Sequence, residues 1–293
     1  MRGTGTKSDP YIIENFDDLL QIDGGTGTYY KLGVDIDAND TPYAESGWQT
    51  VSLNCTELDG DNHTIRNIVV LNPNENVLKY AFAITVQSNF NLCRLNLENV
   101  YLNGGMSAVF KVDSDGLNEF SEVNISIRAS QTVSPFYTNY LSILSYGWTE
   151  ITLKNSCINC TLNAAASVPL IAGSALNCHI RLNSKFSELG SDDRIFATSK
   201  LANTAVFANL ECTGNSVTVY PSSNIYNSYF VMPAMSGISS FNTEYSIKTV
   251  SFYDADEAPG TVTFNDNLNA LTTEQCKSAE YLRSIGFLAE GLA

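Results

Sequence analysis

Leu58-Asp59-Gly60-Asp61-Asn62-His63-Thr64-Ile65-Arg66-Asn67-Ile68-Val69-Val70 is the stretch on which the fold of this chain turns. Asp59 to Asn62 carries turn chemistry, because glycine can take a positive φ and Asp or Asn can hydrogen-bond to nearby backbone. Thr64 to Val70 then alternates between polar and apolar residues before merging into an apolar run, the period-2 pattern of a strand. The unit is strand and turn, and it predicts the point where a capping segment hands over to a stack of similar units.

Working outward, composition agrees. Hydrophobic residues make up 44% of the 293 positions and charged residues only 16%. Asn, Ser and Thr must therefore supply much of the surface, a mixture that suits strands and turns. The formal charge of -15, with no Lys or Arg run, excludes nucleic acid as an expected partner, since phosphate binding needs a positive footprint. Met1 leads into Arg2-Gly3-Thr4-Gly5 without the apolar h-region of a secretory signal, which predicts folding in cytoplasm. No apolar run approaches the roughly 20 residues of a membrane helix, so no membrane insertion is expected.

Upstream, Tyr11-Ile12-Ile13 reads as a short strand, and Asn15 as the cap of a short helix carrying Phe16, Leu19, Leu20 and Ile22 inward. Asp23 to Gly27 reads as a Gly-rich turn, and Tyr29 to Asp37 as one strand. Downstream of Trp48, alternating runs recur at intervals of very roughly 20 to 30 residues, as stacked repeats do. They are 92–97, 123–127, 151–153, 178–182, 208–212 and 246–250, with expected corners at Asn99, Asn103 to Gly105, Asn155, Asn159, Asn183 and Gly214-Asn215. Thr272 to Phe287 reads as one helix, with a Thr272/Gln275 capping box and Cys276, Ala279, Leu282 and Ile285 on one face.

The expected fold is all-β: a single-stranded right-handed parallel β-helix with an N-terminal cap containing a short helix and a C-terminal capping helix. The divisions are 1–48 for the N-terminal cap, 49–270 for the β-helix, and 271–293 for the closing helix and tail. A two-sheet sandwich competes, but two-residue hairpin turns are scarce.

Candidate chemistry is sparse. Seven cysteines, Cys157-Ile158-Asn159-Cys160 among them, read as reduced packing thiols, with no second ligand pair at zinc spacing. Only His63 and His179 exist, which disfavours a hydrolytic triad. The acidic pairs Asp35/Asp37, Asp113/Asp115, Asp192/Asp193 and Asp254/Asp256 are the better catalytic candidates, with turn solvation as the plainer explanation. Asp35-x-Asp37-x-Asn39 starts like a calcium loop, but Asp40 stands where glycine is required and Ser46 where a bidentate glutamate is. No catalytic residue, metal site or cofactor is expected. Two aromatic clusters are candidate binding patches for sugar rings or a protein partner: Phe136, Tyr137, Tyr140, Tyr146 and Trp148, then Tyr220, Tyr226, Tyr229 and Phe230.

The motifs Gly3-Thr4-Gly5-Thr6-x-Ser8-Asp9-Pro10-Tyr11-Ile12-Ile13, Tyr29 to Asp37, Gly47-Trp48-Gln49-Thr50-Val51 and Leu58 to Ile68 together resemble the opening of right-handed parallel β-helix proteins. These proteins occur in bacteriophage virions and in bacterial surface adhesins with GLUG-type repeats. Thr272 to Phe287 resembles their closing segment; the middle is similar in style only. The resemblance implies structural roles for Gly60 as a turn and Asp35 as a cap. It also implies a non-enzymatic virion component, a capsid decoration, head fibre, tail fibre or spike. Its expected partners are other virion proteins, a host surface glycan and further copies of itself as a homotrimer. The alternatives are a β-helix polysaccharide depolymerase, lyase or hydrolase, and an adhesin on the bacterial cell surface.

Overall fold

The computed structural model describes residues 1–44, 46–73, 77–105, 107–114, 116–131, 143–147, 150–166, 170–171, 173–188, 195–197, 199–213, 217–219, 224–241, 251–260, 262–264, 268–285 and 287. In chain order the elements begin with β1 (Tyr11–Ile13), α1 (Phe16–Leu19), β2 (Asp23–Leu32), β3 (Ile36–Asp37), β4 (Val51–Asp59), β5 (Thr64–Arg66) and β6 (Val69–Asn72). There follow β7 (Lys79–Ile84), β8 (Phe90–Cys93), β9 (Asn96–Gly104), β10 (Ser107–Val112), β11 (Asn118–Ser121), β12 (Asn124–Gln131), β13 (Ser145–Gly147), β14 (Ile151–Lys154) and β15 (Cys157–Ala166). The remainder are β16 (Gly173–Leu176), β17 (His179–Glu188), β18 (Lys200–Ala202), β19 (Ala205–Cys212), β20 (Val217–Val219), β21 (Asn224–Tyr226), β22 (Tyr229–Ser236), β23 (Ile238–Phe241), β24 (Phe252–Asp254), β25 (Thr263–Phe264) and β26 (Asn269–Leu271), then α2 (Thr273–Lys277) and α3 (Ala279–Ser284).

The chain alternates between two long parallel sheets. Strands β4, β8, β11, β14, β16, β18 and β21 are successive neighbours in a 12-stranded sheet. Strands β9, β12, β15, β17, β19, β22, β24 and β26 are successive neighbours in an 11-stranded sheet. Each pass therefore adds one strand to each of these two runs, directly above the strand of the pass before, and β7, β10 and β13 form a further parallel run of the 12-stranded sheet. Parallel pairing of this kind buries one face of every strand against the opposite sheet and leaves the other outward, as Ile125, Ile158, Ile180, Val206 and Phe230 show by occupying one inward column.

From β8 onward a single left-handed residue makes the crossing from one sheet to the other. Between β8 and β9 it is Arg94 (φ 51°), between β11 and β12 Glu122 (57°), and then Asn155 (48°), Asn177 (55°), Asn203 (49°) and Asn227 (42°) in the passes above. Each corner N–H reaches a carbonyl of the next pass: Arg94 to Ser121 (3.0 Å), Glu122 to Lys154 (3.0 Å), Asn155 to Leu176 (3.0 Å), Asn177 to Ala202 (2.9 Å) and Asn203 to Tyr226 (3.0 Å). Asn tolerates this backbone region best among residues with a Cβ. The Asn corners also bond along the stack, Asn177 Nδ2 donating to Asn155 Oδ1 (3.2 Å) and Asn203 Nδ2 to Asn177 Oδ1 (3.0 Å).

The residue after each corner points inward: Leu95, Val123, Ser156, Cys178, Thr204 and Ser228, all buried. The polar members satisfy themselves on the corner's own carbonyls, Ser156 Oγ donating to Lys154 O (2.6 Å), Thr204 Oγ1 to Ala202 O (2.9 Å) and Ser228 Oγ to Tyr226 O (2.9 Å). Cys178 fits the same column, its thiol donating to Leu176 O (3.2 Å). Deeper in the lower half rings pack in the core, Phe82 stacked on Phe110 of the next pass (5.3 Å between centroids), with Trp48 edge-on to Phe82 (6.0 Å) and Phe110 edge-on to Phe120 (4.8 Å).

Several expectations need revision. Asp23 to Gly27 is no free turn: it belongs to β2, which pairs with β4 through register shifts at Asp23/Gly25 and Gly25/Tyr29. Tyr29 to Asp37 breaks into β2 and β3. Run 92–97 straddles the Arg94 corner, whereas 123–127 and 178–182 begin just past the corners at Glu122 and Asn177, and the expected corners Asn99, Asn159 and Asn183 lie inside strands β9, β15 and β17. Run 246–250 and the corner Gly214-Asn215 lie outside the described residues. The closing helix is two, α2 and α3, divided at Ser278, whose backbone (φ -88°, ψ 104°) is extended and whose hydroxyl caps α3 through Tyr281 N. The Thr272/Gln275 capping box and the Asn15 cap of α1 are both present. Tyr281, rather than exposed Ala279, joins Cys276, Leu282 and Ile285 against Phe252, Leu271 and Phe287.

Candidate functional site

The acidic residues of the opening stretch are ties between passes. Asp61 Oδ2 pairs with Lys31 Nζ (2.6 Å) in the pass below, and Asp61 Oδ1 with Arg94 Nη1 (3.3 Å) in the pass above. Asp59 Oδ1 accepts from Arg94 Nε (3.0 Å) and from Asp61 N (2.9 Å), and Arg94 Nη2 closes a second bond to Asp59. This paired fork offsets the left-handed backbone of Arg94. Asp35 Oδ1 accepts Thr64 N (3.0 Å) and meets His63 Nδ1 (3.0 Å), which accounts for one of the two histidines. Asp37 caps Asn39 N (3.0 Å) and receives Arg66 Nε (2.8 Å) and Asn67 Nδ2 (2.8 Å).

The other acidic candidates behave alike where described. Asp113 pairs with Lys111 (2.6 Å); Asp115, Asp192 and Asp193 lie outside the described residues. Asp254 and Asp256 dock α2: Asp254 is buried and takes the Thr273 hydroxyl on both oxygens (2.9 Å each), and Asp256 Oδ2 accepts Thr273 N (2.8 Å). Among the described residues no group of three or more His, Cys, Asp and Glu side chains could hold a metal ion.

These ties carry a pH signature. Backbone donation from Thr64 holds the Asp35 carboxyl below its ordinary 3.8, the Arg66 bond does the same for Asp37, and the Lys31 bond for Asp61. A depressed folded pKa contributes stability above the unfolded value that is lost as pH falls through the folded one. Thermal melts should therefore be flat near neutrality and fall as pH drops below about 4. Asp37→Asn should lower the neutral melting temperature and flatten that acid slope. An unchanged slope in Asp37→Asn would dismiss the tie.

Thiol chemistry is muted. Burial pushes Cys55, Cys93 and Cys160 up to about 12, and Cys178 and Cys276 up to about 11. Cys157 is raised by burial as well. Cys157 and Cys160 lie three apart on β15, so the first is half-buried on the outer side and the second is in the core. Native protein should alkylate slowly with iodoacetamide at pH 7.5, whereas denatured protein should give all seven adducts. Fast native labelling of Cys157 or Cys160 would show an activated thiol that burial does not explain.

Of the aromatic candidates, Phe136, Tyr137, Tyr140, Trp148 and Tyr220 lie outside the described residues, and Tyr146 is placed by its backbone in β13 alone, opposite Lys111. Phe230 presents no surface: it is core, against Phe196 (6.3 Å) and Phe241 (5.5 Å). Tyr226 lies under Lys200, whose Nζ is 4.6 Å from the ring centroid. Tyr229 is half-buried between Phe207 (6.1 Å) and Phe252 (4.8 Å), and burial raises its phenol further above the ordinary range. The sequence pattern missed Phe207, which stands 37% exposed on the outer face of β19 beneath the Arg181 guanidinium (5.8 Å). Alongside it runs an outward amide row in which Asn209 Nδ2 donates to Asn183 Oδ1 (2.8 Å). The outer face of the 11-stranded sheet thus combines aromatic, amide and paired-charge groups.

The strand pairing defines an all-β protein with long parallel sheets. No family model matches the chain, and no curated protein matches it. Among solved structures it is similar to a Bacteroides ovatus protein described as a "putative immunoglobulin A1 protease", at 18% identity and a TM-score of 0.45, over 94% of this chain and 88% of the other. We draw nothing about activity from that likeness.

Proposed function

We propose that the chain is a single-stranded right-handed parallel β-helix serving as a non-enzymatic structural and adhesive component of a bacteriophage virion. Residues 1–48 and 271–293 cap it, and it assembles as a homotrimer that contacts other virion proteins and a host surface glycan. The observation that supports a scaffold over a hydrolase is the use of the carboxylates. Asp35, Asp37, Asp113, Asp254 and Asp256, the described members of the acidic pairs, are committed to backbone caps or ion pairs. Glycoside cleavage needs two carboxyl groups free to face one bond. Placement on a virion rests on the resemblance of Gly3 to Val70 and Leu271 to Phe287 to phage and adhesin β-helices. Mass spectrometry of purified particles from an induced lysate should find the chain at structural copy number. Particles without it would end the proposal, and cleavage of host capsule by the purified protein would replace it with a depolymerase.

A further inference from the structure

On the outer face of the 11-stranded sheet, near its N-terminal end, the pairing has a step. Leu97 aligns with Ile125 and Val100 with Ile127, so Glu98 and Asn99 of β9 oppose the single residue Ser126 of β12. That two-against-one count is a β-bulge, and Asn99 sits in it with φ 55°. The pass below carries the matching irregularity at Asn67 (φ 62°), whose N–H donates to Glu98 O (3.0 Å). A side-chain ladder runs up these positions, Asn67 Nδ2 to Asp37 Oδ1 (2.8 Å) and Asn99 Nδ2 to Asn67 Oδ1 (2.7 Å). It stops at Asn99, because β12 has no bulge to continue it, and the Asn99 side-chain oxygen accepts no hydrogen bond from the described residues.

The step leaves a shallow cavity of about 430 Å³ lined by Asn39, Asn67, Val69, Asn99, Tyr101 and Arg128. This volume lies within the roughly 300–1,000 Å³ of small-ligand clefts. Val69, Tyr101 and Arg128 are register partners on β6, β9 and β12, so they form one outward column along the cavity wall. Arg128 is exposed, and its guanidinium has no ion pair or hydrogen bond with the described residues. The carboxylate at the foot of the ladder, Asp37, is paired with Arg66 Nε (2.8 Å). The outward positions around Arg128, namely Ser126, Ser130 and Thr161, are uncharged.

We propose that this cavity binds a carboxylate-bearing sugar, a uronic or sialic acid residue of a surface glycan. The Arg128 fork takes the carboxylate, the amides of Asn39 and Asn99 meet ring hydroxyls, and the Tyr101 ring with Val69 packs against the C–H face of the sugar. In a chain of formal charge -15, a general attraction for acidic polymers is absent, and the affinity comes from this local geometry. The assignment rests on the adhesive reading above and names its ligand class.

The test is titration calorimetry of the full chain with trigalacturonate and sialyllactose, set against neutral galactotriose and lactose, and against inorganic phosphate. Binding is expected for the carboxylated sugars alone, weakening with added salt. Arg128→Gln should lose at least about tenfold in affinity with an unchanged melting temperature, Arg128→Lys should lose less, and Arg283→Gln on the closing helix should bind as the parent does. Equal binding of neutral sugars, equal binding of phosphate, an Arg128→Gln variant as tight as the parent, or no binding to any probe would each overturn the site. The virion reading falls separately, on particle composition, which these titrations do not touch.

Discussion

Gly60→Ala is expected to destabilise the protein by about 3 kcal/mol or more, read as a melting temperature lowered by roughly 6 °C or more. The cause is proximity. A Cβ on Gly60 would lie 2.3 Å from Arg94 O and 2.5 Å from Leu95 Cα, both backbone atoms of the next pass. Neither side can yield cheaply: Gly60 N donates to Cys93 O (2.7 Å), His63 N donates back to Gly60 O (2.8 Å), and Arg94 is fixed by its left-handed corner and its fork to Asp59. Gly25→Ala separates this cause from backbone conformation. Gly25 has a φ of +70° but open space around its would-be Cβ, so its alanine variant should cost only the roughly 1 kcal/mol of strained backbone. If Gly25→Ala proves the worse of the two, close approach is not what glycine at 60 provides.

That contrast shows what could be read from the sequence. The Asp59 to Asn62 turn was legible because its residue types have few other uses, and so were the first strand, the Asn15 cap and the Thr272/Gln275 box. The reason for Gly60 was not. The positive φ values fall on Asp61 (48°) and Asn62 (67°), and glycine is needed for a neighbour 34 residues later in the chain that no local pattern encodes. Corners were legible where they used Asn, as at Asn155, whereas Asn99 proved to be a bulge inside β9. They were illegible where Arg94 and Glu122 take the same backbone, because Arg94 relies on a tertiary partner rather than on intrinsic tolerance.

Period-2 alternation also ran through the corners without a break. The residue after each left-handed position points inward just as a strand residue would, so 92–97 looks continuous through Arg94 and Cys178 reads as the first residue of its strand. The candidate binding residues were harder still. Aromatic density identified Phe230, which the stacking of passes buries, and overlooked Phe207 and Tyr101, whose outward placement follows only from register.

Asp254→Ala should release the closing helices, at a cost of about 3 kcal/mol. Asp254 is 2% exposed and accepts from Asp256 N (3.2 Å), Glu257 N (3.4 Å) and the Thr273 hydroxyl. Alanine would leave these donors in a space with little water. The neighbouring Asp256 is exposed and caps only Thr273 N, so Asp256→Ala should cost about 1 kcal/mol, as a lost helix cap does. The difference matters because α2 and α3 cover Phe252 and Leu271 and stand beside β26, the terminal strand of the 11-stranded sheet. An uncovered parallel edge with an apolar face is a template for pairing with another chain. In Asp254→Ala, hydrogen exchange should accelerate across 273–285 and in β26, and light scattering should show association that grows with protein concentration. Normal amide protection in that variant would mean that the ring of Phe287, 4.8 Å from Phe252, is sufficient to hold the lid.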